Sequence, residues 1–341
     1  MVPRMGTRSV IKDNMQNTYE MTIIISNYNQ EKHIAETIDS VFAQRVSFPI
    51  KVIIVDDCSC RDRSREIIRD YAMRYDNMEP IFAKENAGYL TNILRAKEKT
   101  KTKYFCLLDA DDYWTDRDFL QRAYDFLSSH SEYCIYEANV VIADRNNRHS
   151  YISSEYKSGT YSKEMYLKNK RIPITQTTGM VFRNCIFING IPKIMEEAVG
   201  TRSERSFEGD TGRFIMHLKY GPAYYDDKPV GVYRITKNGI WSSLSIAEKL
   251  IITARFYPDF YRFYGSNGDF FATQAYKSLQ KYLREKQNEL NSFKRQEFIS
   301  EKEKLMFDDV YSFCLRYKNE ISADKNSIKE KAKQILRIIR S

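Results

Sequence analysis

The chain has 341 residues, 42 % of them hydrophobic and 29 % charged, which is the composition of an ordinary globular protein with one large domain and an extension, or with two domains. The net charge is +9, and most of the excess follows Glu248, where a basic tail would attract anionic lipid or another polyanion. The sequence contains no nucleic-acid module with interleaved aromatic and basic positions, so we expect no nucleic-acid partner.

Targeting signals and cysteine spacing suggest where the protein acts. No stretch approaches the roughly 18 apolar residues of a membrane-spanning helix, and the first 20 residues lack the apolar segment of a secretory signal. The six cysteines are scattered, and the closest two, Cys58 and Cys60, have neither zinc-site nor redox spacing. We therefore expect a cytoplasmic protein, with any membrane contact being peripheral at the inner face of the membrane.

Strands and helices are predicted to alternate along the first part of the chain. Residues 1–20 are polar and aperiodic and are expected to form a flexible lead-in. After them, continuous apolar runs predict buried strands, and apolar residues at helical spacing predict a helix after each strand. The strands fall at 21–25, 51–57, 81–83 and 104–109, and the helices at 31–44, around 67–75, at 88–99 and at 115–129.

This alternation predicts an α/β fold with a parallel sheet covered by helices on both faces. Further strands are expected at 134–143, 179–183 and 230–234, with a helix near 209–219. From residue 246 the pattern is helical and charged, without strand signals. We thus divide the chain into the lead-in 1–20, an α/β domain at 21–245 and a basic helical extension at 246–341.

Polar residues follow each of the first four predicted strands, at 26–29, 56–57, 85–88 and 109–112. In open parallel sheets the ligand lies outside the carboxyl ends of the strands, so these acids and amides are expected to share one edge. One acidic turn after a strand is usually a helix cap, but four in succession favour a binding site. Clustered carboxylates with few basic groups predict Mg²⁺ or Mn²⁺, which binds carboxylate and substrate phosphate oxygens together.

Other phosphate and metal motifs are excluded. The sequence has neither a glycine-rich P-loop nor a dinucleotide-binding fingerprint. An EF-hand beginning at Asp109 would need glycine where Trp114 stands and glutamate where Leu120 stands.

The ordered motifs resemble those of family 2 glycosyltransferases, which have the GT-A fold, and in particular bacterial members that build surface polysaccharide. The motifs are SNYNQE (26–31), VDD (55–57), NAGYLTNILRA (86–96), LDADDYW (108–114), EGD (208–210), VYR (232–234) and GIWS (239–242). The resemblance covers roughly residues 21–243. It implies a GT-A-type, Rossmann-like, mostly parallel sheet flanked by helices, with the C-terminal helical extension lying outside the family pattern.

The resemblance also implies a role for each matching residue. A nucleotide-sugar donor would bind through the loops after the first three strands, and a metal through the fourth. Tyr28, Asn29 and Glu31 would contact the base and ribose, and Asp57 would accept a hydrogen bond from the uracil. Asn86 and Gly88 match the third loop, where glycine lets the backbone approach the ligand. The DxD pair would be Asp109, shared between ribose and metal, and Asp111, which ligates the metal, while Asp112 would hold the sugar or cap the next helix.

A family 2 enzyme of the inverting type also needs a base for the acceptor hydroxyl, and Asp210 matches the acidic motif of the family. Capping of the helix that follows is the structural alternative for Asp210, and Glu208 is the alternative base. Many members place a histidine near the metal where this chain has Thr236. Arg234, Lys237 or Trp241 would then contact the diphosphate or close over the site instead.

The resemblance predicts an inverting, metal-dependent glycosyltransferase acting from a nucleoside-diphosphate sugar, most simply UDP-linked, on a glycan or lipid-linked glycan. Two alternatives remain open. A sugar-phosphate nucleotidyltransferase uses a similar core but normally needs a glycine-rich basic first loop. A receiver-like phospho-accepting domain would account for Asp56 and Asp57 but not for LDADDYW.

The last segment, residues 328–339, has apolar residues on one predicted helical face surrounded by lysines and arginines. Such a basic amphipathic helix either lies on an anionic membrane or packs back on the protein. A lipid-linked acceptor would favour the membrane.

Overall fold

The computed structural model describes residues 19–144, 149–151, 155–236, 239, 241–265, 268–292 and 300–317. Its centre is a ten-stranded sheet with helices packed on it. The strands are β1 (Met21–Asn27), β2 (Ile50–Asp56), β3 (Met78–Phe82), β4 (Tyr104–Asp109), β5 (Tyr113–Trp114), β6 (Ile135–Ala143), β7 (His149–Tyr151), β8 (Gly159–Tyr161), β9 (Met180–Arg183) and β10 (Ala223–Arg234).

The helices follow the predicted alternation closely. They are α1 (Ile34–Phe42), α2 (Ser64–Arg74), α3 (Tyr89–Lys99), α4 (Phe119–Ser129), α5 (Lys163–Leu167), α6 (Lys193–Glu196), α7 (Glu204–Glu208), α8 (Asp210–Leu218), α9 (Ile246–Tyr264), α10 (Gly268–Ser292) and α11 (Glu301–Arg316). A single 3₁₀ turn, Thr177–Gly179, precedes β9.

The N-terminal half of the sheet is parallel, in the order β3-β2-β1-β4. Its strands are continuous apolar runs because both faces are covered. In β1, Ile23 and Ile25 point into one hydrophobic cluster and Ile24 into the other. This alternation of a buried strand between two cores is the expected signature of a sheet covered on both sides.

The C-terminal half of the sheet is mixed. β9 lies antiparallel between β4 and β6, β10 runs parallel to β6, and the two-residue β5 closes the edge antiparallel to β10. The α/β fold class with flanking helices is therefore confirmed, and the four strands whose polar ends were expected to form the site are all parallel to one another. The mixed half places the ends of β10 and β5 next to the end of β4.

All described residues from α9 to α11 outside the short loops are helical, as predicted. These helices form a third hydrophobic cluster of their own, which includes Ile251, Leu279 and Phe307. Phe260 of α9 and Phe271 of α10 also belong to one of the two clusters that flank the sheet. None of the described helices has the length and apolar character needed to cross a membrane, and the basic segment 328–339 lies outside the described residues.

Two basic side chains are buried between the sheet and its helices. Lys97 on α3 and His217 on α8 are at most 1 % exposed, and both pack against the rings of Phe105 and Phe187. The imidazole Nδ1 of His217 is 2.8 Å from the carbonyl oxygen of Arg213. Burial lowers the pKa of His217 to about 3 and holds the pKa of Lys97 well below its usual value.

The buried imidazole makes the stability of the protein depend on pH. The unfolded chain protonates His217 near 6.5 and the folded chain only near 3, so the unfolded state binds the extra proton as the pH falls below 6.5. We expect the free energy of unfolding to decrease by about 2 kcal/mol between roughly pH 7 and pH 5 through this group. In His217→Phe this decrease should be absent when the free energy of unfolding is measured by urea denaturation at both pH values. An equal dependence on pH in the variant and the wild type would contradict the role of His217.

Candidate active site

The register of the parallel strands aligns their polar ends. Asn27 at the end of β1 lies opposite Asp56 at the end of β2, and Ser26 lies opposite Asp109 at the end of β4. The loops that follow these strands therefore start at one edge of the sheet, as the spacing of the motifs predicts.

An ion pair between the buried Asp56 and the partly exposed Arg65 fixes the loop after β2. Asn27 Nδ2 donates to Asp56 Oδ1 at 2.8 Å, and Arg65 Nε is 2.7 Å from Asp56 Oδ2. Arg65 also donates to the carbonyl of Ala83 at 2.6 Å, which ties the loop after β3 to the same group. Asp56 is completely buried, so it holds the loops and is not accessible to a ligand.

The loop after β1 is attached to the loop after β2. Asn29 adopts a φ of 51°, and its Oδ1 accepts from the backbone N–H of Arg61 at 3.2 Å. Glu31 Oε2 accepts from the N–H of Arg63 at 3.1 Å. Asn29 and Glu31 thus have partners within the protein, whereas Tyr28, which precedes them, is 41 % exposed. The ligand contacts predicted for these three residues stay predictions.

Asp57 connects the second and third loops. Its Oδ1 accepts from the N–H of Ala87 at 2.8 Å, and its Oδ2 accepts from the N–H of Gly88 at 3.1 Å. Gly88 has a φ of 86° and immediately precedes α3, a conformation that glycine adopts without strain. The predicted contact between Asp57 and a base would therefore use the remaining lone pairs of this carboxylate.

A cleft of about 840 Å³ opens beside these loops, a volume in the upper part of the range for small-molecule sites. Four of the predicted nucleotide-binding residues line it, namely Tyr28, Asp57, Asn86 and Gly88. Trp241 is not among the lining residues. It is 49 % exposed, and the ammonium of Lys249 lies 6.0 Å from its ring.

Asp109 and Asp111 lie where the end of β4 meets this edge. Burial and, to a smaller extent, the neighbouring carboxylates of Asp111 and Asp210 together raise the pKa of Asp109 to about 7. The hydroxyl of Tyr89 donates to Asp109 Oδ1 at 3.2 Å. Burial also raises the pKa of Asp111, while a hydrogen bond from Thr236 acts in the opposite direction. The residue in place of the family histidine therefore contacts the predicted metal ligand.

Asp112 has a different environment from the two residues of the DxD pair. It is 1 % exposed, and its Oδ2 accepts from the hydroxyl of Thr178 at 2.7 Å while its Oδ1 accepts from the N–H of Arg234 at 2.9 Å. Both oxygens are thus used to join the turn after β4 to the 3₁₀ turn and to the end of β10. This geometry favours a positioning role over the expected contact with the sugar.

Arg234 closes one side of the acidic cluster. Its guanidinium donates to the backbone carbonyl of Asp111 at 2.6 Å and to the carboxylate of Glu36 at 2.6 Å, and it stacks 4.3 Å from the ring centroid of Tyr113. The predicted diphosphate contact of Arg234 would require it to exchange one of these partners.

Asp210 begins α8 and joins the cluster from a part of the chain that is distant in sequence. The hydroxyl of Thr177 donates to Asp210 Oδ1, and Arg213 Nη2 lies 3.2 Å from the same oxygen and 2.6 Å from the Thr177 hydroxyl. Arg213 is only 3 % exposed. The alternative base, Glu208, forms an ion pair with Arg205 at 3.1 Å.

Tyr89, Thr177 and Arg213 contact the predicted site residues, but sequence analysis did not identify them. Tyr89 lies inside the NAGYLTN motif, and Arg213 follows Asp210 by one helical turn. The sequence positions of both residues could therefore have indicated that they contact the site. Thr177 had none, because its contact with Asp210 depends on how the 3₁₀ turn packs against α8. In the part of the chain that the structure describes, no group of three or more His, Cys, Asp or Glu side chains is arranged to hold a metal ion.

Comparison with known sequences gives a family match for part of the chain. The model for glycosyl transferase family 2 matches residues 22–189. An uncharacterized protein of Mycobacterium tuberculosis is 28 % identical over 226 residues, 65 % of this chain and 61 % of that protein, so the chain spans about three fifths of this relative's length. TuaG of Bacillus subtilis, provisionally named as a glycosyltransferase of teichuronic acid biosynthesis, is 32 % identical over 112 residues, 33 % of this chain and 43 % of TuaG.

The fold is shared with a solved structure. Residues 1–349 of TarS from S. aureus, crystallised in complex with UDP, superpose with a TM-score of 0.61 at 16 % identity and cover 94 % of this chain and 89 % of that chain. At this identity the likeness concerns the fold, and it agrees with the expected GT-A-type sheet and C-terminal helices. Residues 22–189 therefore form a domain that matches glycosyl transferase family 2, and the fold of the chain agrees with that match.

Proposed function

We propose that the chain is an inverting, metal-dependent glycosyltransferase that moves a sugar from a UDP-linked donor to a glycan or lipid-linked glycan. The observation that carries this proposal is the meeting of Asp109 and Asp111 with Asp210 at the edge of the sheet, beside a cleft that contains Tyr28 and Asp57. Sugar transfer needs a site for the diphosphate, a site for the nucleoside and a base. Asp109 and Asp111 would supply the first, Tyr28 and Asp57 the second, and Asp210 the third.

The nucleotide part of the proposal is supported by the cleft and by the fold. Backbone N–H groups and carboxylates converge near Gly88, and the exposed ring of Tyr28 offers a surface for a base. TarS, which shares the fold, was crystallised with UDP. UDP is therefore the first donor nucleotide to test.

The donor set fits a divalent cation that binds together with the substrate. Asp109 and Asp111 are two carboxylates in a low-dielectric position, and burial raises the pKa values of both. Mg²⁺ and Mn²⁺ commonly use one or two carboxylates and complete their shell with water and substrate phosphates, so a third protein ligand is not required. When bound, such a cation supplies positive charge that stabilises the leaving diphosphate.

In the proposed reaction, Asp210 accepts the proton of the acceptor hydroxyl. The acceptor oxygen forms a bond to the anomeric carbon as the bond from that carbon to the diphosphate oxygen breaks, and the bonding pair leaves with UDP. A single in-line displacement of this kind inverts the configuration. Thr177 and Arg213 hold the carboxylate of Asp210 in place through Oδ1, which leaves Oδ2 for the acceptor.

The acceptor and the location are proposed from a relative and from the basic C-terminal segment. TuaG is named for teichuronic acid synthesis, and this supports a surface polysaccharide as the product. A lipid-linked acceptor would place the enzyme at the cytoplasmic face of a membrane, with the basic segment 328–339 as the peripheral contact. The receiver-like alternative is disfavoured because Asp56 is buried in an ion pair and both oxygens of Asp57 accept backbone hydrogen bonds.

The metal assignment predicts a selective loss in Asp111→Asn. Removing one of two carboxylates from the diphosphate site should weaken UDP binding in the presence of Mn²⁺ by about tenfold or more, since lost charge pairing of over 1.4 kcal/mol corresponds to that factor. Isothermal titration of UDP with and without Mn²⁺ measures it. Asp118→Asn, an exposed carboxylate paired with Arg45, is the control and should bind like the wild type. Unchanged Mn²⁺-dependent binding in Asp111→Asn would remove this residue from the metal site.

The base assignment predicts opposite behaviour for two neighbouring acids. Asp210→Asn should bind UDP with nearly unchanged affinity but transfer sugar about 10² to 10⁴-fold more slowly, the usual contribution of a general base. Glu208→Gln should keep most of the transfer rate because its carboxylate pairs with Arg205. Turnover is followed by UDP release with acceptor present. A large loss in Glu208→Gln together with an active Asp210→Asn would reverse the assignment.

A further inference from the structure

The cleft has a second side that comes from outside the family-model match. One side consists of the loops after β1, β2 and β3. The other side is formed by the segment around α7 together with α9 and α11, all beyond residue 189 where the family model ends. The charged residues of this second side are Arg202, Glu204, Arg205, Glu208, Arg255, Lys302 and Asp309.

A carboxylate of the C-terminal helices fixes the position of this second side. Asp309 on α11 receives two hydrogen bonds from Arg202, at 2.8 Å from Nε and 3.0 Å from Nη2, and a third from Arg255 Nε at 3.3 Å. A bidentate pair of this kind restrains both position and orientation. Burial alone would raise the pKa of Asp309, but the two guanidinium groups hold that pKa below its usual value.

A second carboxylate, that of Asp259, anchors the same segment to α9. Asp259 on α9 is completely buried, and it accepts from the hydroxyls of Ser203 at 3.0 Å and Ser206 at 2.7 Å. Arg255 and Arg262 donate to the same carboxylate at 2.9 and 2.6 Å. Residues 202–206 are therefore tied to α9 and α11 through side chains of both helices, while Arg202, Ser203, Glu204 and Arg205 line the cleft.

The segment approaches the nucleotide side of the cleft at Gly88. Glu204 Oε1 lies 3.6 Å from the position that a Cβ atom would occupy on Gly88. The backbone N–H of Gly88 is held by Asp57, whose two oxygens are used for this contact and for Ala87. Glu204 therefore offers an additional acceptor at the end of the cleft where Asp57 is already engaged.

We propose that residues 202–205 form the second side of the nucleotide-binding part of the cleft, with Glu204 as a contact to the base or ribose and Asp309 as the residue that positions it. This inference rests on the proposed function, since its ligand is the nucleoside part of the UDP-linked donor. The C-terminal helices are then part of the donor site.

Neighbouring aspartates on α11 allow a matched test. Asp309→Asn removes the charge that Arg202 and Arg255 contact, whereas Asp308 is exposed and its carboxylate makes no ion pair among the described residues. We expect Asp309→Asn to raise the Kd for UDP in the presence of Mn²⁺, and the KM for a UDP-sugar, by about five- to tenfold with kcat nearly unchanged, as loss of one charge-assisted contact allows. Asp308→Asn should bind like the wild type, and Asp309→Glu should recover part of the affinity.

Glu204→Gln keeps the test decisive if Asp309→Asn fails to give a folded protein by circular dichroism. This variant leaves the anchoring network intact and should weaken UDP binding severalfold. Wild-type affinity for UDP in a folded Asp309→Asn would overturn the inference. If Asp309→Asn is unfolded, wild-type affinity in Glu204→Gln would do so. A loss of affinity in Asp308→Asn equal to that in Asp309→Asn would also overturn it. If the wild-type enzyme itself does not bind UDP with Mn²⁺, the proposed function fails. If it binds UDP and the variants bind equally well, only the assignment of the second side fails.

Discussion

Four aspartates from two distant parts of the chain share one edge of the sheet, and their mutual repulsion constrains the surrounding structure. Two unit charges about 4 Å apart repel by about 4 kcal/mol at an effective dielectric constant of about 20, so a cluster of this kind requires compensation. Asp112 is compensated by Thr178 and by the backbone of Arg234, and Asp210 by Thr177 and Arg213. Burial raises the pKa values of Asp109, Asp111 and Asp112, and the charges of neighbouring aspartates raise the pKa values of Asp109 and Asp112 further.

The mixed half of the sheet supplies this compensation. β9 and the 3₁₀ turn before it bring Thr177 and Thr178 to the end of β4, and β10 ends at Arg234 beside the same turn. α8 begins at Asp210 and carries Arg213 one turn later. The parallel strands thus present the acids, and the elements that follow them in sequence hold those acids in a defined geometry. The C-terminal helices extend the same arrangement to the cleft through Asp309 and Asp259.

Much of this arrangement could be predicted from the sequence because it depends on local patterns. The apolar runs of β1, β2 and β4 identify buried strands, and the polar residues that follow them must share an edge once the strands are parallel. The position of Asp210 at the start of a helix is also a local property. The charged helical pattern after residue 246 likewise predicted α9 to α11.

The remaining part depends on tertiary contacts that no local pattern encodes. The difference between Asp112 and Asp111 arises from Thr178, which is distant in sequence. The engagement of Asp57 with Gly88, and of Arg234 with Glu36, likewise appears only when the loops pack together. Predicted strands 134–143 and 179–183 are present, but their antiparallel pairing could not be deduced from their apolar character, because buried strands of both kinds have similar sequences.

We propose that Asp109 and Asp111 hold a divalent cation on the diphosphate of a UDP-sugar. A panel of nucleotide sugars, each incubated with the full chain with and without Mn²⁺ and scored for nucleotide release, tests this claim most directly. We expect slow release of UDP from at least one UDP-sugar, dependent on Mn²⁺ or Mg²⁺ and abolished by chelation. Release that is unaffected by chelation, or release confined to donors with another nucleotide, would contradict it.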